Sequence, residues 1–159
     1  MKKILVVLLI LALGLGVATT GCLNGYDELE LEEFKFVEDQ EAEDPDEWVE
    51  RDAEYTTDEI YVYTYFTVAG FEAVDGEVGY EYEASVYNPD GEHVEDLDYE
   101  DADTLPADDY DWVEIWFAPY WWDEAGWDTG TWEIEFVVQD TLGDTPPLEF
   151  TKTFEVVEA

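Results

Sequence analysis

Strict alternation of apolar and polar residues is the feature that most narrows what this chain can fold into. From Thr131 to Asp140, Trp132, Ile134, Phe136 and Val138 share one parity, while Glu133, Glu135 and Gln139 hold the other. Side chains of a strand point alternately to opposite faces, so such a run buries one face and wets the other. The pattern recurs from about Glu59 to Ala69. There Ile60, Val62, Thr64, Phe66 and Val68 oppose Tyr61, Tyr63, Tyr65 and Thr67. It continues from Glu77 to Tyr87, with Val78, Tyr80, Tyr82, Ala84 and Val86 on one face. No stretch shows the spacing of an amphipathic helix.

Weaker signals complete the series. Leu29, Leu31, Phe34 and Phe36 mark a first strand with a register break at Glu32-Glu33, the sign of a bulge. Glu38 to Glu47 reads as an acidic loop, and Trp48-Val49 as a short strand or a plug over the core. Glu72 to Gly76, Asn88-Pro89-Asp90-Gly91 and Thr141 to Pro147 read as turns. Val94 belongs to a short returning strand, and Glu95 to Asp111 reads as a long acidic loop. Asp111 to Ala118 is a strand stopped by Pro119, Tyr120-Trp121-Trp122 is irregular, and Leu148 to Val157 closes the series. About seven strands separated by Gly and Pro turns predict an all-β fold, a single antiparallel β-sandwich.

Three of these stretches carry a resemblance. Tyr87-Asn88-Pro89-Asp90-Gly91 is followed by Gly130-Thr131-Trp132-Glu133-Ile134 and a closing Phe154-Glu155-Val156. The pattern, from about Tyr55 to Val157, resembles the immunoglobulin-like modules of prokaryotic surface proteins. The resemblance implies their sandwich architecture. The cysteine pair of antibody domains is missing, so it implies nothing of antibody function.

The N-terminus reads as an address. Met1-Lys2-Lys3 is basic, and Ile4 to Ala18 runs fifteen residues without a charge. A spanning helix wants about 20 apolar residues, whereas this length suits the h-region of a secretory signal. Small residues then lead to Gly21 and Cys22, the single cysteine. This ending resembles the lipobox of prokaryotic lipoproteins, although Thr19 stands where that family carries Leu, Val or Ile. The resemblance implies cleavage between Gly21 and Cys22 and a lipid on the Cys22 sulfur. An uncleaved anchoring helix is the plainer alternative. The implied organisation is a signal peptide over 1–21, a tether over 22–28 and the immunoglobulin-like sandwich over 29–158. Such a protein would be extracytoplasmic, held at the cell membrane facing the surface or periplasm.

Charge decides which partners are open to it. The chain has a formal net charge of −39. All 44 carboxylates lie beyond Cys22, where Lys35, Arg51 and Lys152 are the only cations. Such acidity suggests disorder, but 7 Trp, 11 Tyr and 8 Phe supply ample material for a core. The composition is similar to that of halophile proteins. In about 1 M salt the Debye length falls to roughly 3 Å, which silences repulsion between exposed carboxylates. Nucleic acid is excluded as a partner, because phosphate neutralisation needs Lys and Arg. With Cys22 committed to the lipobox, no disulfide supports the fold.

The inventory is poor in catalytic groups. Beyond Cys22 it offers one serine, Ser85, and one histidine, His93. A nucleophilic triad would need these single residues to converge, and zinc lacks ligands. We therefore expect no enzyme and no cofactor. Two binding chemistries remain. Asp96, Asp98, Glu100, Asp101 and Asp103 fall in one loop and could offer oxygens to Ca²⁺. They do not follow EF-hand spacing, and a solvated acidic loop is the alternative. Aromatics are the second signal: Trp112, Trp116, Trp121 and Trp122 fall close together, and Trp112 and Trp116 oppose the aliphatic face of their strand. Outward indoles would serve a carbohydrate-binding module meeting a surface polysaccharide, or a contact with another surface protein. Packing under the long loops is the alternative. The sequence thus points to a membrane-anchored lipoprotein with a non-catalytic binding or structural module, the variants being carbohydrate binding and calcium-stabilised adhesion.

Overall fold

The computed structural model describes residues 27–40, 42, 44–107, 110–123 and 126–159. The signal segment, Gly21, Cys22 and most of the tether expected from the sequence lie outside the described residues, as do Asp108 and Asp109.

Ten strands form two sheets. They are β1 (Glu30–Val37), β2 (Glu50–Arg51), β3 (Glu54–Thr56), β4 (Tyr61–Glu72), β5 (Glu77–Tyr87), β6 (Tyr99–Pro106), β7 (Trp112–Phe117), β8 (Tyr120–Trp122), β9 (Gly130–Asp140) and β10 (Leu148–Val157). One sheet has the order β2-β1-β4-β7, with β8 also paired to β4; the other runs β3-β10-β9-β5-β6. Seven of the strands have six residues or more. Numbered among themselves, the first, second and fifth share one sheet, and the third, fourth, sixth and seventh the other. This is the crossed-over arrangement of an immunoglobulin-like β-sandwich.

The local chemistry explains the connections. Asp75 and Gly76 both have positive φ, 55° and 83°. Val74 and Glu77 exchange backbone hydrogen bonds of 2.8 and 3.1 Å around them. This is a two-residue turn of the mirror-image type, for which Asp-Gly is suited. It carries the chain from one sheet to the other. At Asn88-Pro89-Asp90-Gly91 the Asn88 side chain accepts from the amides of Asp90 (3.0 Å) and Glu92 (2.8 Å). Gly91 closes the turn at φ 76°. The break at Glu32 is present as a register shift between Leu31 and Glu33.

The main core fills the gap between the sheets and is strongly aromatic. At its centre Phe66 touches the rings of Phe117 (4.9 Å), Phe136 (5.2 Å), Phe150 (5.4 Å) and Tyr82 (6.0 Å). Val62, Val68, Val78, Ile134 and Val138 are buried with them. All four inward residues expected on β9 lie in this core.

Four expectations need correction. Glu95 to Asp111 is not a loop throughout, since β6 pairs with β5 from Ala84↔Tyr99 to Glu77↔Pro106. It is an edge strand, and between its core contacts Tyr99 and Leu105 the positions of the same parity are Asp101, half-buried, and Asp103, exposed, so no apolar alternation shows. Charge at such positions is a common guard on a sheet edge. Tyr120–Trp122 is not irregular but forms β8. The sandwich is not wholly antiparallel, because β3 runs parallel to β10. Ile60 stands outside β4 and is exposed.

Candidate binding face

The outer side of the β4 sheet carries the aromatics that the core does not use. On β4 these are Tyr61, Tyr63 and Tyr65, the parity opposite Val62, Thr64 and Phe66. Across from them, β7 and β8 form one interrupted edge. Phe117 pairs with Phe66, while Tyr120 pairs with Tyr63 and Trp122 with Tyr61. Between the two segments Pro119 has no N–H, so the ladder breaks there. The break is closed from both sides. Thr64 donates its N–H and its hydroxyl to the Pro119 carbonyl, each at 3.1 Å. Gln40 Nε2 donates to the carbonyls of Thr64 (3.0 Å) and Ala118 (3.2 Å).

This break divides the outer face into two halves. On the β7 side Trp48 lies over Tyr65 and Trp116, with Val37 and Ala118 completing a small second core. Trp48 is fixed there by its Nε1, which donates to the Ala42 carbonyl at 2.8 Å. Trp116 is therefore only 2% exposed. The expectation of an outward, available Trp116 is corrected: it points away from the main core but is covered. The short segment Trp48-Val49 is the plug, though over this outer face and not over an end of the main core.

On the β8 side Tyr63 packs against this second core, while Tyr61 reaches the surface. Tyr61 and Tyr63 are stacked at 5.6 Å with 16° between ring planes. Tyr120 sits 5.6 Å from Tyr63 and 6.3 Å from Tyr61, and Trp122 6.4 Å from Tyr61. Tyr61 is 40% exposed, and Tyr63, Tyr120 and Trp122 are half-buried. The four rings make a stepped aromatic surface pinned by two cross-strand pairs. Trp121, between Tyr120 and Trp122, points the other way and is buried at 4% in the main core, 6.0 Å from Phe136. Trp112 is half-buried opposite Glu72 at the far end of β7. Of the four tryptophans singled out in the sequence, only Trp122 joins this surface. Tyr61 and Tyr63 were legible from their own parity opposite Val62 and Thr64, whereas Tyr120 needed its three-residue segment to be read as a strand.

The acidic candidates are dispersed. Asp96 is exposed in a short 3₁₀ turn, Glu95–Leu97. Asp98 pairs with His93 Nε2 at 2.8 Å. Asp101 accepts from the Tyr80 hydroxyl at 2.9 Å. Asp103 bonds the backbone N–H of Thr104, and Glu100 takes the opposite parity on β6. Among the described residues no group of three or more His, Cys, Asp or Glu side chains is placed to hold a metal ion. Burial, reinforced by Asp101, pushes the Tyr80 hydroxyl far up, and the neighbouring Tyr99 is pushed up to about 12, chiefly by burial. Both phenols are neutral hydrogen-bonding groups at ordinary pH.

An open, polar cleft lies near the β2 edge, lined by Glu38, Glu50, Arg51, Asp52, Glu54 and Glu59. Arg51 is fully engaged there. It donates to Glu59 (2.6 Å) and to the Glu54 carbonyl (2.6 Å), and its guanidinium lies 3.9 Å from the Tyr55 ring centroid. Ser85 faces Glu135 on β9, while His93 lies 5.3 Å from the Tyr87 ring.

No family model matches this sequence, and no curated protein matches it. Solved structures do. An immunoglobulin-like protein of Pseudomonas aeruginosa matches 82% of this chain and 97% of its own at 15% identity, with a TM-score of 0.41. The Pseudomonas fluorescens alkylpurine DNA glycosylase AlkC, bound to DNA with an abasic site analog, matches 83% of this chain at 13% identity and TM-score 0.45. A Bacteroides uniformis β-glucuronidase matches 61% at 11% identity and TM-score 0.43. The likeness is one of fold alone. This chain spans 31% of the glycosylase and 12% of the glucuronidase, so neither enzyme's activity transfers to it.

Proposed function

We propose that the protein is a lipid-anchored, extracytoplasmic binding module without catalytic activity of its own. A lipid on Cys22 holds it to the membrane, residues 22–28 tether it, and the sandwich presents a face to a partner outside. Stable anchoring would come from the several acyl chains of a lipoprotein, since one chain binds only marginally. The acidic surface suits concentrated salt.

The observation that supports this reading is the placement of the outer aromatic face, at which Tyr61 is exposed, relative to the entering chain. Glu30, where the first strand begins, pairs with Ala69, while the aromatic face sits at Tyr61. Eight residues of strand separate them, roughly 26 Å at 3.3 Å per residue. A module tethered through Leu29 would therefore hold its rings at the end away from the membrane.

Metabolic labelling with a clickable fatty acid tests the anchor. The wild type should carry label and fractionate with membranes, and Cys22→Ser should carry none. Label on Cys22→Ser, or none on the wild type, would end the lipoprotein assignment.

A further inference from the structure

We propose that the outer edge of β6 takes up an extended, basic segment of another protein as an added antiparallel strand. The proposal rests on the binding-module reading above and gives one partner a chemical class.

Three observations lead there. First, β6 is the long, unbroken margin of the sandwich. It ends its sheet, and no described residue pairs with its outer side. The margins at β2 and β3 are two and three residues long. The β7–β8 margin is interrupted at Pro119, and Gln40 Nε2 donates to its Ala118 carbonyl at 3.2 Å. Short or interrupted edges discourage pairing, whereas β6 runs eight residues.

Second, the ladder shows which backbone groups β6 leaves open. Ala107 donates its N–H to the Gly76 carbonyl at 2.8 Å. Bonded and non-bonded pairs alternate along an antiparallel ladder, so Leu105, Asp103, Asp101 and Tyr99 turn their N–H and C=O groups to β5. Glu100, Ala102, Thr104 and Pro106 turn theirs outward, and all four residues are exposed. Pro106 has no N–H, and the Asp103 carboxylate accepts from the Thr104 N–H at 2.7 Å. Glu100 and Ala102 keep donor and acceptor for a partner. A strand laid along them can exchange both bonds with each and give another to the Thr104 carbonyl.

Third, the side chains choose the strand. On the outer face Glu100 lies directly across from Glu83, and Ala102 across from Glu81. The other parity of β6 carries Asp101, which accepts from Tyr80, and Asp103. A second copy of this chain would set like charges against each other, which guards the edge against self-pairing. Lys or Arg on an incoming strand, set beside Glu100 and Asp103, offsets that repulsion, and cross-strand pairs of opposite charge stabilise a sheet. The net charge of −39 draws any polycation. Only strand addition also depends on the backbone of β6.

The test uses the full-length protein in a nonionic detergent, in KCl from the lowest concentration that keeps it folded up to molar. The probe is an alternating Lys-Thr peptide. Its comparators are the same peptide with its central amides N-methylated and an alternating Glu-Thr peptide. We expect the Lys-Thr peptide to bind and to slow hydrogen exchange at the Glu100 and Ala102 amides. Its advantage over Glu-Thr should shrink as salt rises. Ala102→Pro keeps every charge and removes an N–H that β5 does not use, so it should melt within a few degrees of the wild type. It should weaken binding about tenfold or more, the loss expected when ladder bonds are removed. The N-methylated peptide should bind the wild type as poorly. The proposal is overturned if that peptide binds as its parent does, if Ala102→Pro changes nothing, or if protection falls on other strands. Equal binding of Glu-Thr at low salt overturns it too, as does a dimer of the chain alone that protects the same amides. Should Ala102→Pro fail to fold, the N-methylated peptide and the exchange pattern decide. Lipid labelling of the same preparation separates the two readings. Label without peptide binding removes the strand site alone, and peptide binding without label removes only the anchor.

Discussion

Trp48 meets Trp116 edge-on, 6.1 Å between ring centroids and 86° between planes, on the outer side of the β4 sheet. This contact turns an outward indole into a buried one. Trp116→Ala should therefore act as a core truncation. We expect a loss of about 3 kcal/mol, at the lower end for large aromatic-to-alanine changes, measured by denaturant unfolding. Trp48→Ala should also destabilise and should leave Trp116 accessible to acrylamide. If Trp116 stays shielded without Trp48, the plug is not what covers it.

Phe66 is the centre of the inter-sheet core, in ring contact with residues from β1, β5, β7, β9 and β10. Phe66→Ala should cost about 4 kcal/mol, while Phe66→Leu should cost less because volume is better kept. Equal and small losses from both would mean the ring is not at the packing centre.

Asp140 ties one sheet to the closing turn of the other. Its carboxylate accepts from the N–H of Glu72 (2.9 Å), Leu142 (3.1 Å) and Gly143 (2.8 Å), and from the Thr145 hydroxyl (3.2 Å). Asp140→Ala leaves these donors without that acceptor, and water reaching the partly exposed turn offsets most of what the bonds contribute. We expect a total loss of about 2 kcal/mol, with hydrogen exchange accelerating first at Glu72, Leu142 and Gly143. Unchanged exchange at those amides would deny the clamp.

Two carboxylates should respond to pH in opposite senses. Burial, with the charges of Glu32 and Glu33, raises Glu114 above its ordinary value. The folded state then holds that proton more tightly. The contribution is fully favourable below the ordinary glutamate range and is lost as pH rises through the raised value. Glu114→Gln should therefore raise the melting temperature at neutral pH but not near pH 3, and molar salt should narrow the gain. The Arg51 hydrogen bond lowers Glu59, helped by bonds from Thr56. Its contribution is present above the ordinary range and lost as pH falls through the lowered value. Glu59→Gln should destabilise at neutral pH and matter little in acid.

Most of the sandwich was legible because its central strands have one buried face. The parities of β4, β5 and β9 follow directly from that burial, as does the closing strand β10. The Asp-Gly and Asn-Pro-Asp-Gly turns follow from backbone preference alone. What escaped were the edges. On β6 the core-side parity includes Asp101 and Asp103, and on β8 three residues are too few for a period to show. The availability of an outward aromatic was illegible for a different reason. Tyr61 and Tyr65 share one parity on one strand, and only the fold of the segment around Trp48, distant in sequence, covers the second and not the first.

Melting as a function of salt tests how the acidity acts. With the carboxylates dispersed, stability should climb smoothly with KCl. Millimolar Ca²⁺ at fixed ionic strength should add no step. A sharp calcium step, removed by neutralising Asp96, Asp98 and Asp101 together, would instead establish an ordered ion site in that loop.

The central claim is that Trp48 makes part of the outer face a second core while Tyr61 stays at the surface, and one comparison of melting temperatures in molar KCl addresses it. Tyr61→Ala should melt within a few degrees of the wild type, while Trp116→Ala should melt far lower. If Tyr61→Ala falls as far as Trp116→Ala, its ring is structural packing, and that end of the face has no surface to give to a partner.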